Sequence, residues 1–406
     1  YYAKINAAGA GVNVAHLLPQ GSLRTDVMGP DDREPTPEEL QAMRDLAEKA
    51  MQEGAWGMTT GLIYVPGAST KTAELIEIAK VVAAHDGIYA SHIRDEGTGL
   101  LGAVAEALQI GKSAGLAVHI SHFKSSGTEA WGLIRRAAAL IEEAQSAGQV
   151  VTADQYPYVA SSTSLSAILM PRWARAGGQD EMVKRLDDPE KSAAIREHVE
   201  TTLTERGDRA PVQIGRYHSK PNWVGRQVHE IARSENRPAA DIVFEIVRNG
   251  DAGAVSFSMT EEDVRFGMQL PWVATASDGR AYLPGADKPH PRSYGTFPRK
   301  IGHYAIQEQV VTLAQAIRSA TSLPAEILGL TDRGRLQVGM FADVVVFDPQ
   351  TFRDTAEFAD PHRYATGIKY VYVGGQPAVF DGVPTGALAG RALIRASKAV
   401  APTESQ

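Results

Sequence analysis

Short apolar runs alternate with helix-length stretches from Val12 to about Pro157. The stretch from Leu101 to Ala114 carries apolar residues at helical spacing and separates two of these runs. Because strands joined through helices pair in parallel, this rhythm predicts a parallel sheet covered by helices. Six strands of this sheet are predicted to begin near Val12, Trp56, Gly87, Leu116, Val150 and Trp272.

Two of the predicted strands end in the same dipeptide. Ser91-His92 follows the run that begins at Gly87, and Ser121-His122 follows the run that begins at Leu116. Since neighbouring parallel strands end at one edge of a sheet, both imidazoles are expected in a shared mouth, where barrel enzymes assemble their active sites. Imidazole pairs are typical metal ligands, but from these residues alone metal ligation and a structural role stay equally open.

One helix start is marked by its own capping residues. Thr36 is the predicted N-cap, and Pro37 occupies the first helical position, where a missing N–H costs nothing. The helix is expected to run through Met51 and to end before Gly54. This local signal supports the assignment of the first covering helix.

Two later segments depart from the strand and helix rhythm. Residues 161–268 are interpreted as a long insertion over the mouth of the sheet, because loops of that length are usually functional. The expected organisation is therefore a barrel-like unit over residues 1–330 that carries this insertion. After it come a small all-β unit over 331–390, with strands in Gly334–Gly339, Ala342–Phe347 and Ile368–Val373, and a polar tail over 391–406.

Composition narrows the class of protein. Of the 406 residues, 43% are hydrophobic and 22% are charged, which is typical of a globular chain and excludes a collagenous or disordered one. The net charge of -7 argues against nucleic acid or an anionic membrane as the main partner. There is no cysteine, so a metal held by this chain must use His, Asp or Glu.

Eight ordered motifs carry a resemblance to a known family. The chain resembles the N-acyl-D-amino-acid deacylases (D-aminoacylases) of the amidohydrolase superfamily over essentially its whole length. The motifs are Gly11-Val12-Asn13-Val14-Ala15, Gly57-Met58-Thr59-Thr60-Gly61-Leu62-Ile63-Tyr64-Val65-Pro66-Gly67, Tyr89-Ala90-Ser91-His92-Ile93-Arg94-Asp95-Glu96, Ile120-Ser121-His122-Phe123-Lys124, Asp154-Gln155-Tyr156-Pro157-Tyr158, Ala276-Ser277-Asp278-Gly279, His290-Pro291-Arg292-Ser293-Tyr294-Gly295-Thr296-Phe297 and Gly339-Met340-Phe341-Ala342-Asp343-Val344-Val345-Val346-Phe347-Asp348.

The resemblance implies a fold class and a cofactor. The expected fold is α/β, a (β/α)8 TIM-type amidohydrolase barrel flanked by a small β-sandwich, of which residues 331–390 form the C-terminal part. His92 and His122 match the family's zinc ligands on its fifth and sixth strands. The family also has a His-x-His pair and a metal-binding cysteine on its first two strands. This chain has neither, so they and two strands are expected upstream of Tyr1.

The resemblance also implies a reaction, the zinc-dependent hydrolysis of N-acyl-D-amino acids to a carboxylate and a free D-amino acid. Asp278 matches the catalytic aspartate, which acts as general base and acid beside a metal-activated water. Arg94, Asp95 and Glu96 are interpreted as a supporting ion-pair network. The positions expected to bind the substrate, chiefly its carboxylate, are Tyr64, Lys124 and Arg292.

Two alternatives remain beside this interpretation. A dihydroorotase-like or hydantoinase-like enzyme acting on cyclic amides would usually carry a carboxylated lysine, and Thr59-Thr60-Gly61 offers none on its strand. The chain could also be an inactive fragment that binds a ligand without turning it over. The expected partner is a small molecule rather than nucleic acid or a membrane, the expected location is cytoplasmic, and neither oligomeric state nor acyl preference follows from the residues.

Overall fold

The computed structural model of the protein describes residues 1–29 and 31–395. The strands are β1 (Val14–Ala15), β2 (Leu18–Pro19), β3 (Gly57–Gly61), β4 (Ile88–His92), β5 (Val118–Ile120), β6 (Val151–Gln155), β7 (Ala160–Ser164), β8 (Val212–Arg216), β9 (Gly253–Phe257), β10 (Val273–Thr275), β11 (Val344–Phe347), β12 (Ile368–Val373), β13 (Gln376–Phe380), β14 (Val383–Pro384) and β15 (Ala392–Leu393). The α-helices are α1 (Tyr2–Ala8), α2 (Gln20–Met28), α3 (Pro37–Gln52), α4 (Thr72–Ala84), α5 (Leu100–Ala114), α6 (Leu133–Ser146), α7 (Leu165–Leu169), α8 (Arg172–Arg175), α9 (Gln179–Asp187), α10 (Pro189–Arg206), α11 (Val228–Glu235), α12 (Ala239–Arg248), α13 (Glu261–Gln269), α14 (Arg292–Pro298), α15 (Leu313–Ala320) and α16 (Ser322–Leu328). Short 3-10 turns and one π-helix, Arg299–Gln307, complete the elements.

A six-stranded parallel sheet organises the molecule, in the order β10-β6-β5-β4-β3-β2. Helices α3 to α6 lie between consecutive strands in the chain, as in a (β/α)8 barrel. Their apolar faces and the strands form one buried cluster, with Met58, Leu75 and Ile120 at its centre. The predicted α/β class and the predicted count of parallel strands are confirmed.

The register of this sheet aligns the carboxyl ends of strands β3, β4 and β5. Gly61 at the end of β3 pairs with His92 at the end of β4, and Ser91 pairs with Ile120 at the end of β5. Because all the strands run the same way, the residues that follow them emerge at one mouth. The mouth is therefore where the chemistry of the sheet is expected.

The predicted start of α3 is confirmed. The hydroxyl of Thr36 accepts a hydrogen bond from the backbone N–H of Glu39, and the Glu39 carboxylate accepts one from the N–H of Thr36. This reciprocal pair satisfies two of the N–H groups that every helix start leaves open. Among the described residues no helix has the length and apolar character needed to cross a membrane.

The first predicted strand is wrong in part, because residues 12–18 divide between two sheets. Leu18–Pro19 joins the parallel sheet, whereas Val14–Ala15 pairs with Ala392–Leu393 near the other end of the chain. That partner lies within the segment predicted as a polar tail, of which residues 396–406 lie outside the described part. Pairing over this sequence distance could not be predicted from local pattern.

The predicted insertion contains its own sheet and its own core. Strands β7, β9 and β8 pair antiparallel, and helices α7 to α12 pack apolar side chains such as Ile195, Ile231 and Phe244 into one buried cluster. Helix α13, by contrast, packs against α6 and β10 of the parallel sheet. The domain boundaries given above stay a prediction.

The predicted all-β unit contains a four-stranded antiparallel sheet, in the order β11-β12-β13-β14. The expected strand at Ile368–Val373 is confirmed, and the run beginning at Ala342 forms a strand from Val344. The expected strand at Gly334–Gly339 is wrong, since these residues form bends and a turn. Its glycines adopt positive φ, 85° and 94°, which a strand does not accommodate.

Candidate metal centre

Two imidazoles converge at the mouth of the parallel sheet. His92 is the last residue of β4, and His122 stands two residues after the end of β5. His92 Nδ1 lies 2.9 Å from His122 Nε2, and the ring centroids are 4.4 Å apart at an interplanar angle of 72°. Two nitrogens this close, on rings that meet edge to face, point at a common position. The strand-end argument from the sequence brought the right pair together.

The backbone of His122 is strained into its position. Its φ is 40°, in the left-handed region that non-glycine residues seldom adopt. Its N–H donates to Asp154 Oδ1 at 2.6 Å, and His119 Nε2 donates to Asp154 Oδ2 at 2.8 Å. Asp154, near the end of β6, therefore fixes the strained backbone of His122. His119 in turn fixes the Asp154 carboxylate.

Glu96 completes a cluster with the two histidines. Its Oε1 lies 2.8 Å from His122 Nδ1, its Oε2 lies 3.9 Å from His92 Nε2, and Lys124 Nζ donates to Oε1 at 2.5 Å. One ligand atom from each of His92, Glu96 and His122 lies within 4.8 Å of the others. The expected network of Arg94 with Asp95 and Glu96 is wrong, because Arg94 pairs with Glu106 at 2.8 Å instead.

Burial and neighbouring charge set the protonation of this cluster. Burial lowers the pKa of His92 to about 3, so its ring is neutral at physiological pH. Burial alone would raise the pKa of Glu96, but Lys124 and the two histidines outweigh it and hold that pKa well below its usual range. Burial would likewise lower the pKa of Lys124, and the Glu96 carboxylate raises it instead. The site therefore holds neutral imidazole beside a carboxylate and an ammonium.

These groups fit a zinc ion. Imidazole nitrogens and carboxylate oxygens are the zinc ligands available in a chain without cysteine, and His92, His122 and Glu96 offer both kinds. His92 Nδ1 and His122 Nε2 face each other at 2.9 Å, so a single ion between the rings can contact both. Two buried, convergent imidazoles supply two of the three protein ligands that are typical of a catalytic zinc site.

A second face of the mouth is built around Tyr156, directly after β6. The Arg292 guanidinium lies 4.5 Å from its ring centroid, and Lys124 Nζ lies 5.7 Å from the same centroid. The hydroxyl of Tyr156 and Nη1 of Arg292 are both buried without a partner among the described residues. Two cations and one unpartnered hydroxyl on a single ring form a surface suited to an anion.

Asp278 lies on the solvent side of this surface. It follows β10 with a φ of 44°, a second strained backbone position, and its side chain is 43% exposed. Arg292 Nη2 lies 2.7 Å from its Oδ2. The catalytic and substrate-binding residues expected from the sequence are thus in direct contact.

Tyr64, which follows strand β3, is the last of the residues predicted for this site. Its ring centroid lies 5.1 Å from that of His92, and its hydroxyl lies 3.0 Å from Thr163 Oγ1 on strand β7. Burial raises the pKa of Tyr64, so its hydroxyl stays protonated. Tyr64 therefore contacts both the metal cluster and the inserted sheet.

All six residues expected at the site lie within this one connected arrangement, although their individual roles stay predictions. Sequence reasoning missed Tyr156 and gave Glu96 the wrong partners. Tyr156 carries the same strand-end signal that identified His92, because it directly follows β6. The partner of Glu96 had no such signal, since Lys124 follows a different strand.

The alternative of a carboxylated lysine finds no residue on the relevant strand. Strand β3 carries no lysine, and Thr60 in its interior is buried and hydrogen-bonded to the hydroxyls of Tyr89 and Ser91. A metal-bridging carbamate cannot form on this strand.

Comparison with known proteins adds to this geometry. The amidohydrolase family model matches residues 3–379. A D-aminoacylase from Alcaligenes xylosoxydans xylosoxydans is 39% identical over 395 residues, which span 97% of this chain and 73% of that protein. An N-acyl-D-glutamate deacylase from the same organism is 36% identical over 407 residues, spanning 100% of this chain and 75% of that protein.

Solved structures are also similar to this chain. An N-acyl-D-glutamate deacylase from Bordetella bronchiseptica, complexed with zinc and a phosphonate mimic of the tetrahedral intermediate, superposes with a TM-score of 0.80 at 34% identity. The match covers 98% of this chain and 74% of that one. A D-hydantoinase is similar in fold alone, with a TM-score of 0.52 at 12% identity.

Proposed function

The chain belongs to the amidohydrolase family, and from that premise we propose that it hydrolyses N-acyl-D-amino acids to a carboxylate and a free D-amino acid with zinc as cofactor. The observation that carries the proposal is the pair of facing imidazole nitrogens, 2.9 Å apart, next to an anion-binding surface. A metal supplies an activated water for amide hydrolysis, and cations beside it supply a binding site for the substrate carboxylate.

His92 Nδ1 and His122 Nε2 are the atoms that would hold the zinc, because they face each other. When bound, zinc supplies an open position for water, lowers the pKa of that water and polarises the amide carbonyl. Asp154 keeps His122 oriented through its backbone N–H. The chain's own groups perform the remaining tasks.

Asp278 is the proposed proton carrier. Its carboxylate accepts a proton from the attacking water and delivers it to the amine nitrogen, which must be protonated before it leaves. Arg292 Nη2 contacts this carboxylate at 2.7 Å and Nη1 has no partner among the described residues, so one guanidinium can hold both Asp278 and a substrate carboxylate.

The substrate carboxylate is proposed to bind Arg292 and Lys124. Nη1 of Arg292 is buried without a partner among the described residues, so a bound carboxylate would satisfy it. The Lys124 ammonium contacts Glu96, the backbone carbonyl of His122 and His122 Nδ1, so it would attract the substrate carboxylate through its charge. The hydroxyls of Tyr156 and Tyr64 provide further donors at the same mouth.

The activity is tested by release of amino acid from matched panels of N-acetyl-D and N-acetyl-L amino acids with added zinc. We expect turnover of D-substrates alone. Acidic and apolar D-side chains belong in the panel, because the relatives include both a D-aminoacylase and an N-acyl-D-glutamate deacylase. Turnover confined to L-substrates or to cyclic amides would overturn the proposal.

The residue roles are tested by metal analysis. His92→Ala and His122→Ala are expected to lose zinc and activity together, since each removes a ligand. Asp278→Ala is expected to keep its zinc and to lose turnover by about 100-fold or more, because only the proton carrier is gone. Full zinc content in both histidine variants would contradict the assignment.

A further inference from the structure

We propose that Glu96 is a positioning residue that fixes the tautomer of His122, an inference that rests on the zinc site proposed above. A neutral imidazole has one N–H and one lone pair, and only the lone pair can bind a metal. Something must therefore direct the His122 proton to Nδ1, the nitrogen that does not face the zinc.

The distances identify that group. One nitrogen of each ring faces the other ring, namely His92 Nδ1 and His122 Nε2. Of the two remaining nitrogens, His122 Nδ1 lies 2.8 Å from Glu96 Oε1, whereas His92 Nε2 lies 3.9 Å from Oε2, which is too far for a hydrogen bond. The carboxylate is thus placed to act on the rear nitrogen of His122.

An ionised carboxylate can only accept hydrogen bonds. Beside Glu96, His122 is stabilised with its proton on Nδ1, which leaves the lone pair on Nε2 for the metal. Glu96 acts through His122, since it lies on the side of that ring opposite the shared metal position.

The neighbouring Lys124 would favour the wrong tautomer of His122 if Glu96 were absent. Its Nζ lies 2.9 Å from His122 Nδ1, and an ammonium can only donate. Without an acceptor at Glu96, the ammonium would donate to Nδ1, and the ring proton would move to Nε2, where it blocks the metal. Glu96 supplies an acceptor for the Nδ1 proton and also contacts the ammonium at 2.5 Å, so the ammonium, which lies 2.9 Å from Nδ1, does not depend on that nitrogen as its acceptor.

The test compares zinc affinity across a pair of variants of the full chain. In Glu96→Gln the amide oxygen turns to the Lys124 ammonium and the amide nitrogen turns to His122, so both neighbours donate to Nδ1. We expect zinc affinity to fall by about 10- to 100-fold. The double variant Glu96→Gln/Lys124→Met frees the amide oxygen to accept from Nδ1, and we expect affinity to return to within about 3-fold of the unsubstituted protein.

The readout is competition for zinc with a chromophoric chelator, supported by the visible absorption of the cobalt-substituted proteins. Glu106→Gln is the matched control, because Glu106 pairs with Arg94 at 2.8 Å and touches neither histidine. Its zinc affinity should be unchanged. Circular dichroism establishes that each variant is folded before titration.

Three outcomes distinguish the possibilities. Recovery in the double variant supports the positioning role. Equal loss in Glu96→Gln and in the double variant would show that Glu96 is itself a ligand, and unchanged affinity in Glu96→Gln would show that it is neither; both overturn the inference alone. Failure of the unsubstituted protein to bind zinc would overturn the proposed function as well.

Discussion

Two lysine side chains in the described part of the chain are almost fully buried, and their surroundings shift their pKa values in opposite directions. Lys124 at the metal centre is 6% exposed and contacts the Glu96 carboxylate at 2.5 Å. Lys300, on the π-helix Arg299–Gln307, is 3% exposed, and its Nζ donates to the backbone carbonyl of Met268 at 3.2 Å. Burial lowers the pKa of Lys300 to about 7, whereas Glu96 raises that of Lys124 despite burial.

The difference teaches what burial does to an amine. Removal from water penalises the charged form, and a backbone carbonyl compensates only a part of that penalty. A carboxylate in contact reverses the balance, but it makes each partner depend on the other. The metal centre therefore holds a fixed charge pair, while the Lys300 region holds an amine that gives up its proton near neutral pH.

The largest expected effect separates the pair at the metal centre. Lys124→Met leaves the buried Glu96 carboxylate without its ammonium, and we expect the free energy of unfolding to fall by about 3–5 kcal/mol. Urea denaturation at pH 7 measures it. The double variant Glu96→Gln/Lys124→Met removes both charges and should regain most of the loss.

A loss below about 1 kcal/mol in Lys124→Met would show that Glu96 is not charged there or that water reaches it. The comparison between the two lysines would then fail. Lys124→Arg is a useful companion variant, because it keeps a cation in the site while changing its shape.

Much of the fold followed from pattern. Strands β3 to β6 and β10 were predictable because buried parallel strands are short apolar runs, and α3 because Thr36 and Pro37 mark its start. The pairing of β1 with β15 was not predictable, since it joins residues far apart in sequence through two short strands. Such contacts depend on the completed fold.

The candidate site divides in the same way. His92 and His122 were identified because parallel strands end at one edge, and Lys124, Asp278 and Arg292 entered through resemblance to the deacylases. The contact between Glu96 and Lys124 joins two loops that follow different strands, and local charge pattern favoured Arg94 as the partner instead. Lys300 could not be recognised as buried, because lysine is rarely a core residue.

The second prediction concerns Lys300, the other member of the comparison. Lys300→Met should stabilise the protein, by about 3 kcal/mol at pH 7, because an apolar side chain of similar length carries no desolvation penalty. In the unsubstituted protein the folded state releases its Lys300 proton near pH 7, whereas the unfolded state keeps it until about 10.5. Unfolding therefore takes up a proton between these values, and stability rises with pH across that window.

The variant lacks this proton uptake, so its advantage should be largest at or below pH 7 and should vanish towards pH 10.5. Urea denaturation at several pH values from 6 to 10 follows the difference. Equal stability of the two proteins at pH 7 would mean that the ammonium of Lys300 finds a polar environment on protonation. A constant difference at all pH values would point to packing rather than charge.

The third prediction removes the anchor of the metal centre and leaves both lysines in place. Asp154→Ala deletes the acceptor of the His122 N–H and releases its strained backbone. We expect zinc affinity to fall by about 10-fold, the lower end for residues that orient a ligand. Asp154→Asn keeps one oxygen for the N–H and should stay within about 3-fold; a larger loss in Asn than in Ala would contradict the anchoring role.

The smallest expected effect concerns the N-cap of α3, a local interaction that involves no buried charge. It serves as a contrast to the two buried lysines. The hydroxyl of Thr36 caps α3 by accepting from the N–H of Glu39. Thr36→Ala removes this acceptor at a partly exposed helix start, and we expect a loss of about 1 kcal/mol in the free energy of unfolding. Thr36→Ser keeps the hydroxyl and should retain most of it.

Zinc affinity and turnover should be unchanged in Thr36→Ala, because the cap contacts neither the mouth of the sheet nor the π-helix. The loss should also be independent of pH between 6 and 10, since no group involved titrates there, in contrast to the difference expected for Lys300→Met. A loss as large as that of Lys124→Met would mean that stability in this protein follows the helices around the sheet rather than the pairing of its buried charges.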